Sequence, residues 1–554
     1  MFNPTLSKKT DTPLTPNDNA KKLFQAIYKK QNKAEGGSDD VQKINVSDLV
    51  SKMSFYYEKI RNSVDYKEDN LLRKNAIERI LKRHIVIENV VSLKDVNSKD
   101  VSRHLLVELI RAGYLPNNTI PESKIDEFSV VIAKYLLLKK YFLEYFREKK
   151  IQERNEMSNW VISLCATDLE ERIGRSDVDN VLVAYMYDVL TAGVKFENGS
   201  EYEKDRNIQI YIGIHSTMMK YDQSMISFLL FKYYNAGWDA ATDDQVKEVA
   251  VNIFSLKAAI DGQIHHPISG QLRKIIIRYT VYFTMLMDVI EDDCVGIYNS
   301  FSADPKAFPR HIKRVCDVRY KATKKKLWRA AIRSLIYVFI TKSILAFVLE
   351  VPVTKWLGQE LNTSSLMINI AFPVVLLFVV VALTKLPSKE NSEKIVSGIE
   401  EIVFVEKKRT EPIVMRQPVK QGGLMNAIFG IIYAATFLTS FGAVVWALQK
   451  INFHFVSITI FLFFLALISF FGIRIRRNTK ELVVIPPKEN IFNFILDFFY
   501  VPVVAVGKWL SEKFSQVNVF VFVLDFIIEA PFKIFVEIAE EWTKYVKNRK
   551  DEIS

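Results

Sequence analysis

Four long apolar runs between residues 332 and 477 limit what this chain can become. Residues 366–383 and 424–448 carry no charge, and residues 453–473 hold His454 as their one ionisable group. A helix needs roughly 20 apolar residues to cross the hydrocarbon of a bilayer. These three runs meet that length or fall just short of it. The first run, 332–349, is less plain: Lys342 stands in its middle, with Arg333 and Glu350 near its ends. A lysine at the centre of a membrane helix costs about 2.5–3.5 kcal/mol on insertion scales. Hydropathy alone would allow an interfacial helix there.

Loop charge decides the count. Lys321, Lys324, Lys325, Lys326 and Arg329 precede the first run. Lys385, Lys389, Lys394, Lys407, Lys408, Arg409, Arg416 and Lys420 lie between the second and third, and Arg474, Arg476 and Arg477 follow the fourth. The other two loops hold only Lys355 and Lys450. Four crossings put all three basic clusters on one side, as the positive-inside rule requires. Three crossings would strand the first cluster opposite the others. The expectation is a transmembrane region over 332–477, with helices at about 332–350, 366–384, 424–448 and 453–473 and both termini cytoplasmic. Lys324, Lys325, Lys326, Arg329, Arg474, Arg476 and Arg477 then form a basic collar facing anionic lipid headgroups.

The rest of the chain reads as helices on either side of that region, giving an all-α fold class. Residues 1–45 are polar and read as a disordered tail with a short helix at 20–30. Residues 46–303 read as a helical cytoplasmic domain. Their apolar residues recur at three-to-four spacing, with breaks at Gly113, Gly174, Gly199 and Gly237. Single helices are expected over about 205–234 and 243–261. Between Pro121 and Ile151 the run VVIAKYLLLKKYFLEYF contains Lys134, Lys139 and Lys140, which favours a buried bundle helix over another crossing. Residues 304–331 read as a basic juxtamembrane helix, and from Pro309 one helix can run to Glu350. A short amphipathic helix is expected near 392–404, carrying Ile395, Ile399 and Ile402. Residues 478–554 hold two short apolar elements, FILDFFYVPV and FVLDFIIEAP, and a last amphipathic helix over 533–549. Length and the acid in each apolar element favour interfacial or re-entrant helices.

Net charge is +12, much of it beside the apolar runs. No nucleic-acid motif or glycine-rich basic tail accompanies it, so no nucleic-acid partner is expected. Cys165, Cys294 and Cys316 lack metal or redox spacing, which fits a reducing compartment. The N-terminus has no apolar core or cleavage site of a signal peptide.

Lys342 is the sharpest single residue, since an ionisable group inside a membrane is a functional hypothesis by default. It could line a solute path or pair with Glu350. The plainer reading is a lysine facing a polar seam between helices. Glu350 lies eight residues on, about 80° round an ideal helix, so the two are poorly aligned. Asp288, Glu291, Asp292 and Asp293 form an acidic knot that could meet His311 or His265 and His266 at a metal. A solvated helix end is the plainer reading, and no cofactor is expected. Phosphate-loop, dinucleotide, zinc-protease and nucleophile-elbow motifs are absent, which removes every specific reason to propose an enzyme.

The stretches KKKLWRAAIRSLIYVFITKSILAFVLEVPV and WLSEKFSQVNVFVFVLDFIIEAPFKIFVEIAEEW resemble segments of multi-pass bacterial membrane proteins of no named family or activity. The resemblance covers at most the C-terminal half, transfers no site residues and implies a bacterial cytoplasmic membrane. The leading expectation is a non-enzymatic scaffold or interaction platform, with anionic lipid, other proteins or further copies of itself as partners. The alternatives are an oligomeric small transporter or channel using Lys342, and a membrane enzyme acting on lipid.

Overall fold

The structure is a computed structural model describing residues 14–33, 42–64, 69–91, 97–174, 176–197, 201–304, 306–356, 358, 363–384, 387–409, 411–416, 422–485 and 491–516, with scattered positions over 535–550. Among them the fold is all-α, apart from one pair of three-residue strands. The chain divides into two units: the first holds the described residues of 18–276, 411–417 and 519–554, and the second those of 14–17, 277–410 and 418–518.

The first unit holds α1 (Asp18–Lys33), α2 (Asp48–Val64), α3 (Asp69–Val91), α4 (Ser98–Arg111), α5 (Ser123–Tyr145) and α6 (Ile151–Gly174). It continues through α7 (Asp177–Gly193), α8 (Arg206–Thr217), α9 (Gln223–Tyr234), α10 (Asp243–Val251), α11 (Ile253–Ile264) and the start of α12 (Ser269–Asp292). Local chemistry sets the ends. The Asn97 side chain accepts from the Lys99 N–H at the start of α4, and Gly113 follows its end at φ +77°, where a side chain would be strained. Ser176 and Asp179 close a capping box on α7.

Helix α5 is the bundle helix that its lysines imply. Phe128, Val131, Ile132, Tyr135, Leu138 and Phe142 are buried, while the Lys134 ammonium donates to the Trp238 carbonyl at 2.6 Å. The stretch 205–234 is two helices rather than one. Asp222 accepts from the Met225 N–H at 2.9 Å and starts α9, and Lys220 before it has φ +58°. Asn252 likewise divides α10 from α11. Within the stretch read as a polar tail, α1 packs on α7 with Leu23, Phe24 and Ile27 buried. Three apolar positions at helical spacing suffice for this in an otherwise polar segment. Strand β1 (Val194–Phe196) pairs in parallel with β2 (Ile413–Met415), a pairing too short and too distant in sequence to show as alternation.

Lys74 is buried in this unit, at 2% exposed. Its ammonium lies 2.9 Å from Glu78 and 3.8 Å from Asp222.

The second unit covers the rest of α12, α13 (Cys294–Ala303) and α14 (Ala307–Leu345). Asp304 accepts from the Lys306 N–H ahead of α14. A π-turn (Ala346–Glu350) and α15 (Val351–Trp356) extend α14 to a helical run of 50 residues. Then come α16 (Thr363–Ala382), α17 (Lys389–Val403), α18 (Gly423–Lys450), α19 (Phe455–Lys480) and α20 (Ile491–Gln516). Among the described residues, four helical runs are long and apolar enough to cross a membrane: Ala307–Trp356, Thr363–Ala382, Gly423–Lys450 and Phe455–Arg476. Helix α17 is amphipathic, capped by Ser388, with Ile395, Ile399 and Ile402 buried.

Helix α20 contains the element FILDFFYVPV and extends well past it. It packs along α18 and α19, with the Tyr500 hydroxyl donating to the Ser469 carbonyl at 3.0 Å. Gly507 lies against the Ala466 carbonyl, an approach that leaves no room for a Cβ. The second element, FVLDFIIEAP, lies outside the described residues. In the last one, Phe535, Ile538, Trp542 and Tyr545 are exposed.

Candidate functional site

Helices α14, α16 and α19 pack together through an apolar layer of Val338, Leu377, Val381 and Ile468. Polar groups are enclosed within the same helices. Lys342 on α14 is 0% exposed and Glu350 in the π-turn is 2% exposed. Asn369 on α16 and Ser457 on α19 are buried as well. The Asn369 amide donates to Glu350 Oε1 at 2.6 Å and to the Ser457 carbonyl at 3.3 Å. Thr354 donates to the Glu350 carbonyl at 2.7 Å.

The π-turn explains why two residues that look misaligned on an ideal helix are both interior. It inserts one residue into the helix, which sets everything after it back by about 100°. The separation of about 80° between residues 342 and 350 becomes roughly 20°. Both side chains then face the interior.

Hydrogen bonding is incomplete here. Among the described residues the Lys342 ammonium has no hydrogen-bond acceptor, and no carboxylate lies within 4.0 Å of it. It sits instead over the Phe464 ring, 4.0 Å from the centroid. Glu350 Oε2 and Asn369 Oδ1 likewise accept no hydrogen bond among the described residues. Pro373, buried in α16, has no N–H to give the Asn369 carbonyl one turn back. Buried polar atoms of folded proteins are nearly always partnered, so a cluster of exceptions calls for a physical reason. Irregular backbone in a membrane helix is tolerated where it is enclosed by protein, and π-turns often mark functional positions.

No family model, no curated protein and no solved structure matches this chain. The site is therefore read from its own chemistry. It offers one cation, one carboxylate and an amide between three helices.

Lys342 and Glu350 were visible in the sequence; Asn369, Pro373, Ser457 and Phe464 were not singled out. Asn369 carried a signal, as the one side-chain amide within the run 366–383. Phe464 carried none, being one aromatic among many on α19.

The other expected groups have other surroundings. Lys324, Lys325, Lys326 and Arg329 are exposed along α14. Arg474 is exposed and Arg476 half-buried on α19, and Arg477 continues that helix. The acids of the knot are engaged in caps and ion pairs. Asp292 pairs with His311 at 2.9 Å, Asp288 with Arg319 at 3.0 Å, and Asp293 accepts from the Gly296 N–H. His266 pairs with Asp205 at 3.3 Å. No group of three or more potential metal ligands comes together among the described residues.

Proposed function

We propose that the chain is a multi-pass protein of a bacterial cytoplasmic membrane. It holds its helical unit at the inner surface as a non-enzymatic interaction platform. The observation that carries this reading is α18, whose most apolar stretch is only 6% buried. Leu424, Ile431, Leu438 and Trp446 on it all face outward. Soluble proteins rarely leave so large an apolar surface bare, and lipid is the natural cover. The exposed lysines of α14 and the even number of membrane-length apolar helices among the described residues support cytoplasmic termini. The large core of the first unit supports a domain that presents surface rather than one that only anchors. Alkaline carbonate extraction of membranes tests the placement: the chain should stay in the pellet. Recovery in the supernatant would overturn it. Crosslinking in cells followed by detergent purification should then recover protein partners.

A second reading, a solute path through an oligomer, is favoured by the buried Lys342 ammonium, which lacks an acceptor among the described residues. Four helices per chain leave little room for a path unless several chains assemble. Lys342→Leu should abolish flux into liposomes under this reading, and unchanged flux would dispose of it.

A further inference from the structure

A cavity of about 740 Å³ opens in the first unit between α6, α7, α8 and α9. That is within the size range of small-ligand sites. Its floor is apolar, formed by the buried Val183, Ile208 and Leu229. Its walls are aromatic. The rings of Tyr187 and Tyr211 stand nearly perpendicular, at 84°, with centroids 6.2 Å apart. Tyr233 adds a third ring, 61% exposed. Asp188 lies at the edge; Asn19 donates to one of its carboxylate oxygens at 3.0 Å.

The charges favour a cationic guest. Among the described residues Glu171 and Asp188 line the cavity against one lining cation, Lys232. Arg206, near enough to act on Tyr187, is not in the lining and pairs with Glu203 at 2.9 Å. The Lys232 ammonium pairs with Asp239 at 3.2 Å and with Glu171 at 3.7 Å and lies over the Phe228 ring, so Asp188, held by the neutral Asn19 amide, is the lining carboxylate left for a guest. A tyrosine phenol is neutral near pH 7, and burial, then the neighbouring Tyr233, raise that of Tyr187 further against the pull of Arg206. Perpendicular rings over an apolar floor, with a carboxylate at the rim, suit a cation that is bulky, weakly hydrated and apolar at its surface.

We infer that this cavity is a binding site for a quaternary ammonium group. The alkyl groups pack on the floor and rings, and the charge faces the ring faces and Asp188. A metal ion does not suit the site, because an apolar floor cannot replace its hydration shell. The inference goes beyond the platform reading and does not depend on it, since the cavity lies wholly within the helical unit.

The test uses the full chain in detergent, with calorimetric titration of choline, tetramethylammonium and 3,3-dimethylbutan-1-ol, the neutral carbon analogue of choline. Choline and tetramethylammonium should bind, and the neutral analogue should bind roughly tenfold more weakly. Tyr211→Leu should cost about tenfold in choline affinity. Tyr233→Leu should cost several-fold with the thermal unfolding midpoint unchanged, because that ring is largely exposed. Asp188→Asn should weaken both cations and leave the neutral analogue alone. Displacement of choline by phosphatidylcholine bicelles would name lipid headgroups as the source, and lack of displacement would name a soluble ammonium; both uphold the site. Equal binding of choline and its neutral analogue would overturn the inference. So would choline binding that both tyrosine variants leave untouched, or no binding up to about 10 mM.

Discussion

Lys74 and Lys342 are both buried ammonium groups, and the two units of the chain treat them differently. In the helical unit, Lys74 has two carboxylates within 4 Å, and Glu78 is shared with Lys82 at 2.7 Å. Among the apolar helices, Lys342 has an aromatic ring beneath it and a carboxylate beyond ion-pair distance. A core folded from water must bring a counter-charge along with any charge it buries. A helix packed in lipid can share the load among a ring, an amide-bound carboxylate and helix distortions that re-aim the groups. The difference separates a charge held for stability from one held at a polar seam.

The comparison breaks most visibly at Glu78. Glu78→Gln removes the nearer counter-charge of Lys74 and should destabilise the helical unit by about 3–5 kcal/mol, toward the low end because Asp222 remains. Thermal or denaturant unfolding would read this, and a loss within the noise would make the pair ornamental. The pH dependence follows from the same residue. Burial pushes the Glu78 carboxyl up, but the Lys74 and Lys82 ammonium groups outweigh it and leave it below its ordinary value of 4.5. The folded form therefore binds fewer protons than the unfolded one. Its contribution is present above pH 4.5 and fades as pH falls through the lowered folded value. That acid-side loss should be shallower in Glu78→Gln.

The next effect concerns Lys342 and Glu350. Lys342→Met and Glu350→Gln should each cost roughly 1–3 kcal/mol, because each leaves the other charge buried and unanswered. The double variant should recover much of that loss. Strict additivity in detergent-solubilised protein would show that the two charges do not sense each other, and the contrast with Lys74 would sharpen. The smallest effect is at the ring. Phe464→Leu should cost about 0.5–2 kcal/mol with Lys342 present and much less in the Lys342→Met background.

What could be read from the residues alone follows from the range of the forces involved. Long apolar runs and loop charge act locally, so the four apolar helices were legible, as was the fate of the lysine-bearing α5. The split between α8 and α9 was not, since it turns on the Asp222 cap and one left-handed residue, Lys220. The three-residue strand pairing joins segments more than 200 residues apart, and nothing local announces it. At the candidate site, Lys342 and Glu350 stood out as charges in apolar surroundings. Their shared orientation did not, because on an ideal helix the two stand about 80° apart and only the π-turn supplies the missing rotation. Asn369 and Phe464 acquire meaning only when α16 and α19 close on α14.

Side-specific cysteine labelling is the most direct trial of the membrane placement. Cys165, Cys294 and Cys316 would first be replaced, and Lys325→Cys and Lys408→Cys introduced one at a time at these exposed positions. In intact cells, both should resist an impermeant maleimide and react only once the membrane is opened. Labelling of one but not the other in intact cells would put the basic clusters on opposite faces and contradict an even number of crossings.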